Sequence, residues 1–253
     1  MISGELAALG TVVSVLLLTS VAASYAGRHS VIDVAWGLMF ALIAVACFVA
    51  SGGHGDDVRR WLLLLMAGSW GLRLALHIGA RQRGKPEDPR YEKLLRDRGP
   101  IFVALIVYVL QGALVLLIAQ PVIIGSFESD PAGPLAWLGV VLWLVGIFFE
   151  AVGDWQLEQY KKDPNRGLVM DRGLWRYTRH PNYFGDACVW VGIYLVVADA
   201  WPGAITIFAP AVMVYLLAFG SGKKVLEKHM AERPGFAEYK ERTSGFVPLP
   251  PRA

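Results

Sequence analysis

Little of this chain is charged, and almost none of it is cysteine. Asp, Glu, Lys and Arg make up 18% of the residues, short of the roughly 25% usual in a soluble domain, which argues against a freely soluble globule and against a solvated tail. The two cysteines, Cys47 and Cys188, each sit inside an apolar stretch. They supply neither a disulfide framework nor a thiolate metal site and read as small core residues. The first apolar segment lacks a basic flank, since only Glu5 is charged there, so a cleaved signal peptide is not expected and the segment reads as a retained helix. The five histidines, at 29, 54, 77, 180 and 229, show no H-E-x-x-H or paired spacing, so no metal site is expected. Neither G-x-G-x-x-G nor G-x-x-x-x-G-K-[ST] occurs, which removes the Rossmann and P-loop modes, and the absence of G-x-S-x-G removes a hydrolase elbow.

What the chain has in excess is apolar blocks of membrane-spanning length. Mean hydropathy is +0.45 and 55% of the residues are hydrophobic. About 20 residues of helix cross a hydrocarbon core of ~30 Å, and windows of that order lie at 6–25, 31–50, 61–80, 101–126, 134–154, 184–200 and 202–220. Lipid offers the backbone no hydrogen bonds, so the segments must be helices, and the short alternating strands of a barrel are absent. The pattern predicts one all-α membrane domain over 1–253 with seven transmembrane helices. Of 24 Lys and Arg, 21 fall in the segments 81–100, 158–180 and 222–253 or at Arg28, all on one side if the helices alternate. The positive-inside rule then puts the N-terminus outside and the C-terminus in the cytoplasm, as a multi-pass protein of the inner (cytoplasmic) membrane. The tail from Lys223 to Glu241 reads as an amphipathic helix interrupted near Pro234 and Gly235.

Charge inside hydrocarbon is costly, so each such group is a functional candidate. Asp33 stands at the start of the second window, Arg73 and His77 share a face of the third, Glu150 and Asp154 share a face of the fifth with Glu158 continuing the stripe, and Asp186 begins the sixth. All lie toward the cytoplasmic ends, where one inward-opening polar cavity would accommodate them. The competing reading is a set of buried ion pairs, such as Asp33 with Arg73. Beside them, Lys161, Lys162, Arg166, Arg172, Arg176, Arg179, Lys223, Lys224 and Lys228 make a cationic rim suited to phosphate. Trp175, Tyr177, His180, Asn182 and Tyr183 add stacking and amide recognition. A flat, phosphorylated cofactor fits that inventory.

The run 173–186 (GLWRYTRHPNYFGD) resembles the steroid 5-alpha-reductase-like membrane proteins, specifically the bacterial subgroup known as the DUF1295 family. The stretches 30–37 (SVIDVAWG), 73–91 (RLALHIGARQRGKPEDPRY) and 236–248 (FAEYKERTSGFVP) match as well. The resemblance implies a seven-helix fold whose cytoplasm-facing cavity holds NADPH, with a lipid-like substrate arriving from the bilayer. Hydride passes to a C=C bond conjugated to a carbonyl, which a protein group polarises. Carried onto this chain, Asn182 would hold the nicotinamide amide, Asp154 and Glu150 the adenosine portion, Lys161 and Lys85 phosphates, and Lys224 and Lys228 the pyrophosphate region. The matched stretches add Arg176, Tyr177, Arg179, His180, Tyr183, Asp186 and Tyr239 to the cofactor side and Trp36 and Arg73 to the substrate side, where Trp70, just before the second stretch, is a further candidate. Steroid reductases grip the ketone with a Glu and a Tyr on helices two and three. Here the candidates are Asp33 with His77 or Trp70, of which Trp70 has no phenolic proton, and Tyr91 is a further donor if its loop folds back. A protonated Asp33 in an apolar cleft ranks first among the possible acids.

The Arg-His-Pro-x-Tyr-x-Gly core is shared with isoprenylcysteine carboxyl methyltransferases, so an S-adenosylmethionine-dependent membrane methyltransferase is the alternative. Phosphate discriminates: NADPH carries three phosphate groups, S-adenosylmethionine none. A non-catalytic lipid-binding or transport protein is the third reading, and no broken mid-membrane helix pair supports it. The expected partners are a lipid-like substrate and membrane lipids, not nucleic acid.

Overall fold

A computed structural model describes residues 2–220 and 222–252 and is all-helical apart from turns and one isolated bridge. Among the described residues, six helical stretches are long and apolar enough to cross a bilayer: Ile2–Ala26, Val31–Ala50, Asp57–Gln82, Pro100–Ile118, Pro134–Lys162 and Gly203–Met230. The chain is a multi-pass membrane protein. Its surface agrees, because Leu6, Leu17, Leu18, Val49, Leu76 and Ile101 are all more than half exposed, a cost in water but not in lipid.

The chain divides into two compact units. The first comprises Met1–Trp137 and Val196–Ala209. In it α1 (Ile2–Ala26), α2 (Val31–Ala50) and α3 (Asp57–Gln82) are followed by the short α4 (Pro89–Leu95) and α5 (Pro100–Val103), a π-helical stretch at Ala104–Val109, α6 (Leu110–Ile118) and α7 (Gln120–Gly125). Helices α2 and α3 touch backbone to backbone at Gly37 and Gly71, where a Cβ on Gly37 would come within 2.6 Å of the Gly71 carbonyl. Small residues at such a crossing bring helices together where lipid supplies no hydrophobic drive. At the acidic end of this unit the fully buried Arg59 pairs with Asp199 at 2.8 Å and donates to the Asp130 carbonyl at 3.1 Å. That ties the 126–133 segment to the 196–200 turn.

The second unit comprises Leu138–Leu195 and Pro210–Ala253. Its elements are α8 (Pro134–Lys162), a 3-10 turn at Gly173–Arg176, α9 (Pro181–Leu195), α10 (Phe208–Ala218), α11 (Lys223–Met230) and α12 (Phe236–Arg242). Helix α8 runs eight residues past the 134–154 window because its charged end continues the helical spacing. Glu158 and Lys162 close an i,i+4 pair at 2.7 Å before Asp163-Pro164 ends it. The 184–200 window becomes only the 15-residue α9, which is not among the six spanning stretches, because residues 196–199 form a turn. The tail forms two helices with the expected interruption between them, ending at Gly235, whose φ of +78° is open to glycine and strained for other residues.

Candidate functional site

In the first unit the polar residues gather where α2 begins. Ser30 occupies the N-cap position but makes no side-chain cap, so the leading N–H groups of α2 need another acceptor. Glu87, in the loop after α3, supplies it. One carboxylate oxygen accepts from the Ser30 N–H at 3.0 Å and the other from the His29 N–H. Burial pushes the Glu87 carboxyl up, yet the hydrogen bonds from His29, Ser30 and Asp88 outweigh it and hold the group below its ordinary value of 4.5. Arg28 pins the same loop by donating to the carbonyls of Gln82 and Lys85 at 3.0 and 2.7 Å.

The loop so fastened carries the side chains that meet Asp33, one turn into α2. Asp88 caps α4 by accepting the Arg90 N–H at 2.8 Å, with Pro89 at the first helical position. That start turns Arg90 and Tyr91 back toward α2. The Tyr91 hydroxyl donates to Asp33 Oδ1 at 2.7 Å, and Arg90 Nη2 to Asp33 Oδ2 at 3.0 Å. Gln82 Nε2 reaches the same Oδ2 at 3.5 Å. Tyr91 is 7% exposed. Burial, then the Asp33 charge and their hydrogen bond, push its phenol far above 10, so it remains a donor throughout the physiological range. The loop therefore folds back, and Arg90 is a counter-ion of Asp33.

Around this pair, His29 Nδ1 lies 3.2 Å from the Tyr108 hydroxyl on the π-helical stretch. Trp36, Phe40 and Trp70 form an edge-to-face chain with centroids 5.6 and 5.4 Å apart. Trp70 is fully buried, while Trp36, Arg73 and His77 are half-buried. Lys85 is exposed and belongs to this unit, whereas the other cations expected on the cofactor side belong to the second.

In the second unit α8 and α9 approach at Gly146 and Gly185, where a Cβ on Gly146 would stand 2.6 Å from the Gly185 carbonyl. The approach buries Glu150, at 3% exposure, and brings Asp154 to Asn182. Asn182 Nδ2 donates to Asp154 Oδ1 at 3.3 Å. An ionised carboxylate only accepts, so this contact fixes which way the amide points. Two residues expected at separate portions of the cofactor are thus neighbours. Tyr183 and Asp186 are half-buried, and Arg176 and Tyr177 exposed.

Below this pair the C-terminal tail is sewn to the 171–180 segment. The Tyr239 hydroxyl donates to the Trp175 carbonyl at 2.6 Å, whose indole donates to the Gly153 carbonyl at 3.0 Å. Thr178 and Ser244 form the isolated bridge, and the Leu249 N–H reaches the Tyr177 carbonyl at 3.0 Å. Arg179 spends its guanidinium on Glu227 at 2.9 Å and on the carbonyls of Lys240 and Thr243. His180 Nε2 lies 3.1 Å from the same Glu227 oxygen, and its ring stacks on Tyr183 at 5.3 Å. Burial holds the His180 imidazole below its ordinary 6.5, against the opposing pull of Glu227. Its buried Nδ1 has no hydrogen-bond partner among the described residues.

A cavity of about 610 Å³ lies within this unit, walled by Tyr160, Trp175, Phe236 and Tyr239, with Lys161, Arg166, Arg179, His180, His229 and Arg233 also lining it and no carboxylate among its residues. Lys224 and Lys228 instead line a separate depression on the other side of α11, together with Glu227. The residues missed by sequence reasoning are Glu87, Arg90, Gln82, Glu227 and Arg233, whereas Arg166 was expected in the cationic rim. Asp88-Pro89 carried a readable cap signal, but nothing local marked Glu87 as the cap of a helix more than fifty residues away.

Residues 20–243 match the model of a family described as a protein of unknown function (DUF1295). A steroid 5-alpha-reductase, DET2 of Arabidopsis thaliana, is 34% identical over 67 residues, which are 26% of this chain and 25% of the plant protein. The uncharacterized protein C594.04c of Schizosaccharomyces pombe is 23% identical over 251 residues, covering 87% of this chain and 72% of its own. No solved structure matches. With the family model spanning all but the two ends, the chain belongs to the DUF1295 family.

Proposed function

We propose that the protein is a membrane-embedded reductase that polarises a carbonyl with Asp33 and Tyr91 and reduces the C=C bond conjugated to it, using NADPH. The observation that carries this reading is the 2.7 Å hydrogen bond between Tyr91 and Asp33, backed by the partial similarity to a steroid 5-alpha-reductase. As observed, the phenol's one proton is committed to the carboxylate. Adding a proton to the pair gives two O–H groups, one to bridge the side chains and one to donate to a carbonyl oxygen. Arg90 keeps the pair oriented through Oδ2. The aromatic chain of Trp36, Phe40 and Trp70 supplies the apolar setting in which such a donor is strong.

The second unit carries groups that fit the cofactor. Its cavity has aromatic walls, a cationic rim and no carboxylate among its lining residues. NADPH, when bound, supplies the hydride. Asn182, oriented by Asp154, would hold the nicotinamide amide. Lys161 lies seven residues further along α8 than Asp154, about 10 Å at 1.5 Å per residue, a spacing suited to phosphates beyond that amide. The sulfonium of S-adenosylmethionine finds no counter-ion in this lining.

Seven crossings with the basic segments in the cytoplasm complete the proposal. The tail pairs with Asp171, Tyr177 and Thr178, so residues 171–178 and the tail share one side. A chain that leaves through α9 and returns through α10 must cross twice or not at all. The apolar length of Gly203–Met230 favours crossing, and α9 then crosses as a short helix.

Thermal stabilisation of the detergent-purified protein by NADPH, NADH and S-adenosylmethionine tests the reading. NADPH at ~100 times its dissociation constant should add about 2.7 kcal/mol, and Asn182→Ala should abolish the shift. Stabilisation by S-adenosylmethionine alone would replace the reductase by a methyltransferase.

A further inference from the structure

Six side chains with basic groups line the 610 Å³ cavity, and they are not equivalent. Arg179 is buried and consumed by Glu227 and two tail carbonyls. His180 is buried against the same Glu227. Both therefore act within the fold. Arg166 and Arg233, by contrast, are exposed at the rim. They come from two different places, the loop after α8 and the turn after α11. Arg166 uses Nη1 on the Lys161 carbonyl at 2.8 Å and lies over the Tyr160 ring at 5.9 Å. One of its five donors is thus engaged, and the guanidinium is held beside an aromatic face.

The geometry of α11 separates two kinds of cation. Leu226, His229 and Met230, at i, i+3 and i+4, share one face, and Arg233, in the turn that follows the helix, lines the same cavity. Lys224 and Lys228 stand on the opposite face and line the other depression, which contains a carboxylate. A site built for an unphosphorylated adenosine ribose presents an Asp or Glu to the 2′-hydroxyl, whereas one built for the 2′-phosphate presents an Arg instead. The lining has two exposed arginines and no acid. Arginine also matches a dianionic phosphate with paired N–H groups where lysine offers a point charge.

We propose that Arg166 and Arg233 are the residues that select the phosphorylated dinucleotide, gripping the adenosine 2′-phosphate at the cavity rim. The assignment rests on the cofactor reading given above and goes beyond it by naming what distinguishes NADPH from NADH. Both arginines are exposed, so their removal leaves the fold intact.

Isothermal titration of the full-length protein in detergent with NADPH, NADH, 2′-phospho-ADP-ribose and ADP-ribose reads the proposal without any substrate. The wild type should bind the phosphorylated member of each pair more tightly. Arg166→Ala and Arg233→Ala should each weaken the phosphorylated members about tenfold to a hundredfold and leave the unphosphorylated ones unchanged. An unliganded melting temperature equal to wild type establishes that the variants are folded. Equal wild-type affinity for both members overturns the selection but leaves the dinucleotide reading standing. A preference that survives both substitutions, or that collapses instead in Lys224→Ala, overturns the assignment to these arginines. A wild type that binds none of the four overturns the cofactor reading and this inference together.

Discussion

The two units solve different physical problems at their polar ends. In the first, Asp33 is gripped by Tyr91, Arg90 and Gln82 at 2.7 to 3.5 Å, and the loop that carries two of them is latched to α2 by Glu87. In the second, the polar groups surround a 610 Å³ cavity, and the cations at its rim are exposed. A proton donor gains from fixed geometry, since each lost degree of freedom is settled before reaction. A cofactor that must arrive and leave needs volume, a wall and mobile counter-charges. Proton delivery and cofactor binding should therefore fail separately.

Three experiments would break or sharpen that contrast. The largest effect belongs to the donor pair. Tyr91→Phe and Asp33→Ala should lower NADPH-dependent reduction of an enone lipid by about 10²- to 10⁴-fold, while NADPH affinity by titration stays at wild type. Asp33→Asn keeps an N–H donor and should retain more activity than Asp33→Ala. Loss of NADPH affinity in Tyr91→Phe would erase the division of labour.

Next is the wall of the cavity. A chain ending after residue 235 lacks Phe236 and Tyr239 and strips Arg179 of its tail carbonyls. It should lose the whole NADPH-induced stabilisation, about 2.7 kcal/mol at ~100 times the dissociation constant. Tyr239→Phe removes only the bond to the Trp175 carbonyl and should cost about 1 kcal/mol, measured by denaturant melting of the detergent-solubilised protein.

The smallest effects are in acid, and they order the two units. His180 has a folded value below 6.5, so as pH falls through 6.5 the unfolded chain takes the proton first and stability around the tail declines. Glu87 is held below 4.5, so its contribution is complete above that value and is lost only as pH falls further toward the folded one. Hydrogen exchange from pH 7 to 4 should therefore show residues 236–252 losing protection before the amides of His29 and Ser30. His180→Gln should remove the earlier step. Glu87→Ala should expose the two α2 amides at neutral pH, at a cost of about 0.5–2 kcal/mol for a lost cap.

The membrane nature of the chain was legible before any coordinates, because hydropathy and backbone satisfaction in lipid leave helices as the outcome for apolar runs of this length. The windows 31–50 and 134–154 correspond to α2 and to most of α8. Boundaries drifted where polar spacing continued a helix, as at Glu158 and Lys162, or where a turn cut one short, as after Leu195. At the site, Asp33 and Tyr91 were both named from sequence, but their 2.7 Å contact was not, since 57 residues lie between them. His180 and Arg179 carried the strongest local motif, yet their polar groups bind Glu227 and, for Arg179, the tail. A motif reports which residue types recur together, not whether their donors are spent within the fold.

The sequence by itself determined that the chain is helical, crosses a membrane several times and collects basic groups in three segments, because these follow from local composition and the dielectric of lipid. Tertiary structure decided that Tyr91 folds back on Asp33, that Glu87 caps a helix remote in sequence, and that α11 separates Lys224 and Lys228 from Arg233. Those outcomes depend on which backbone donors and charged groups remain unsatisfied once the helices have packed, a condition that no local window contains.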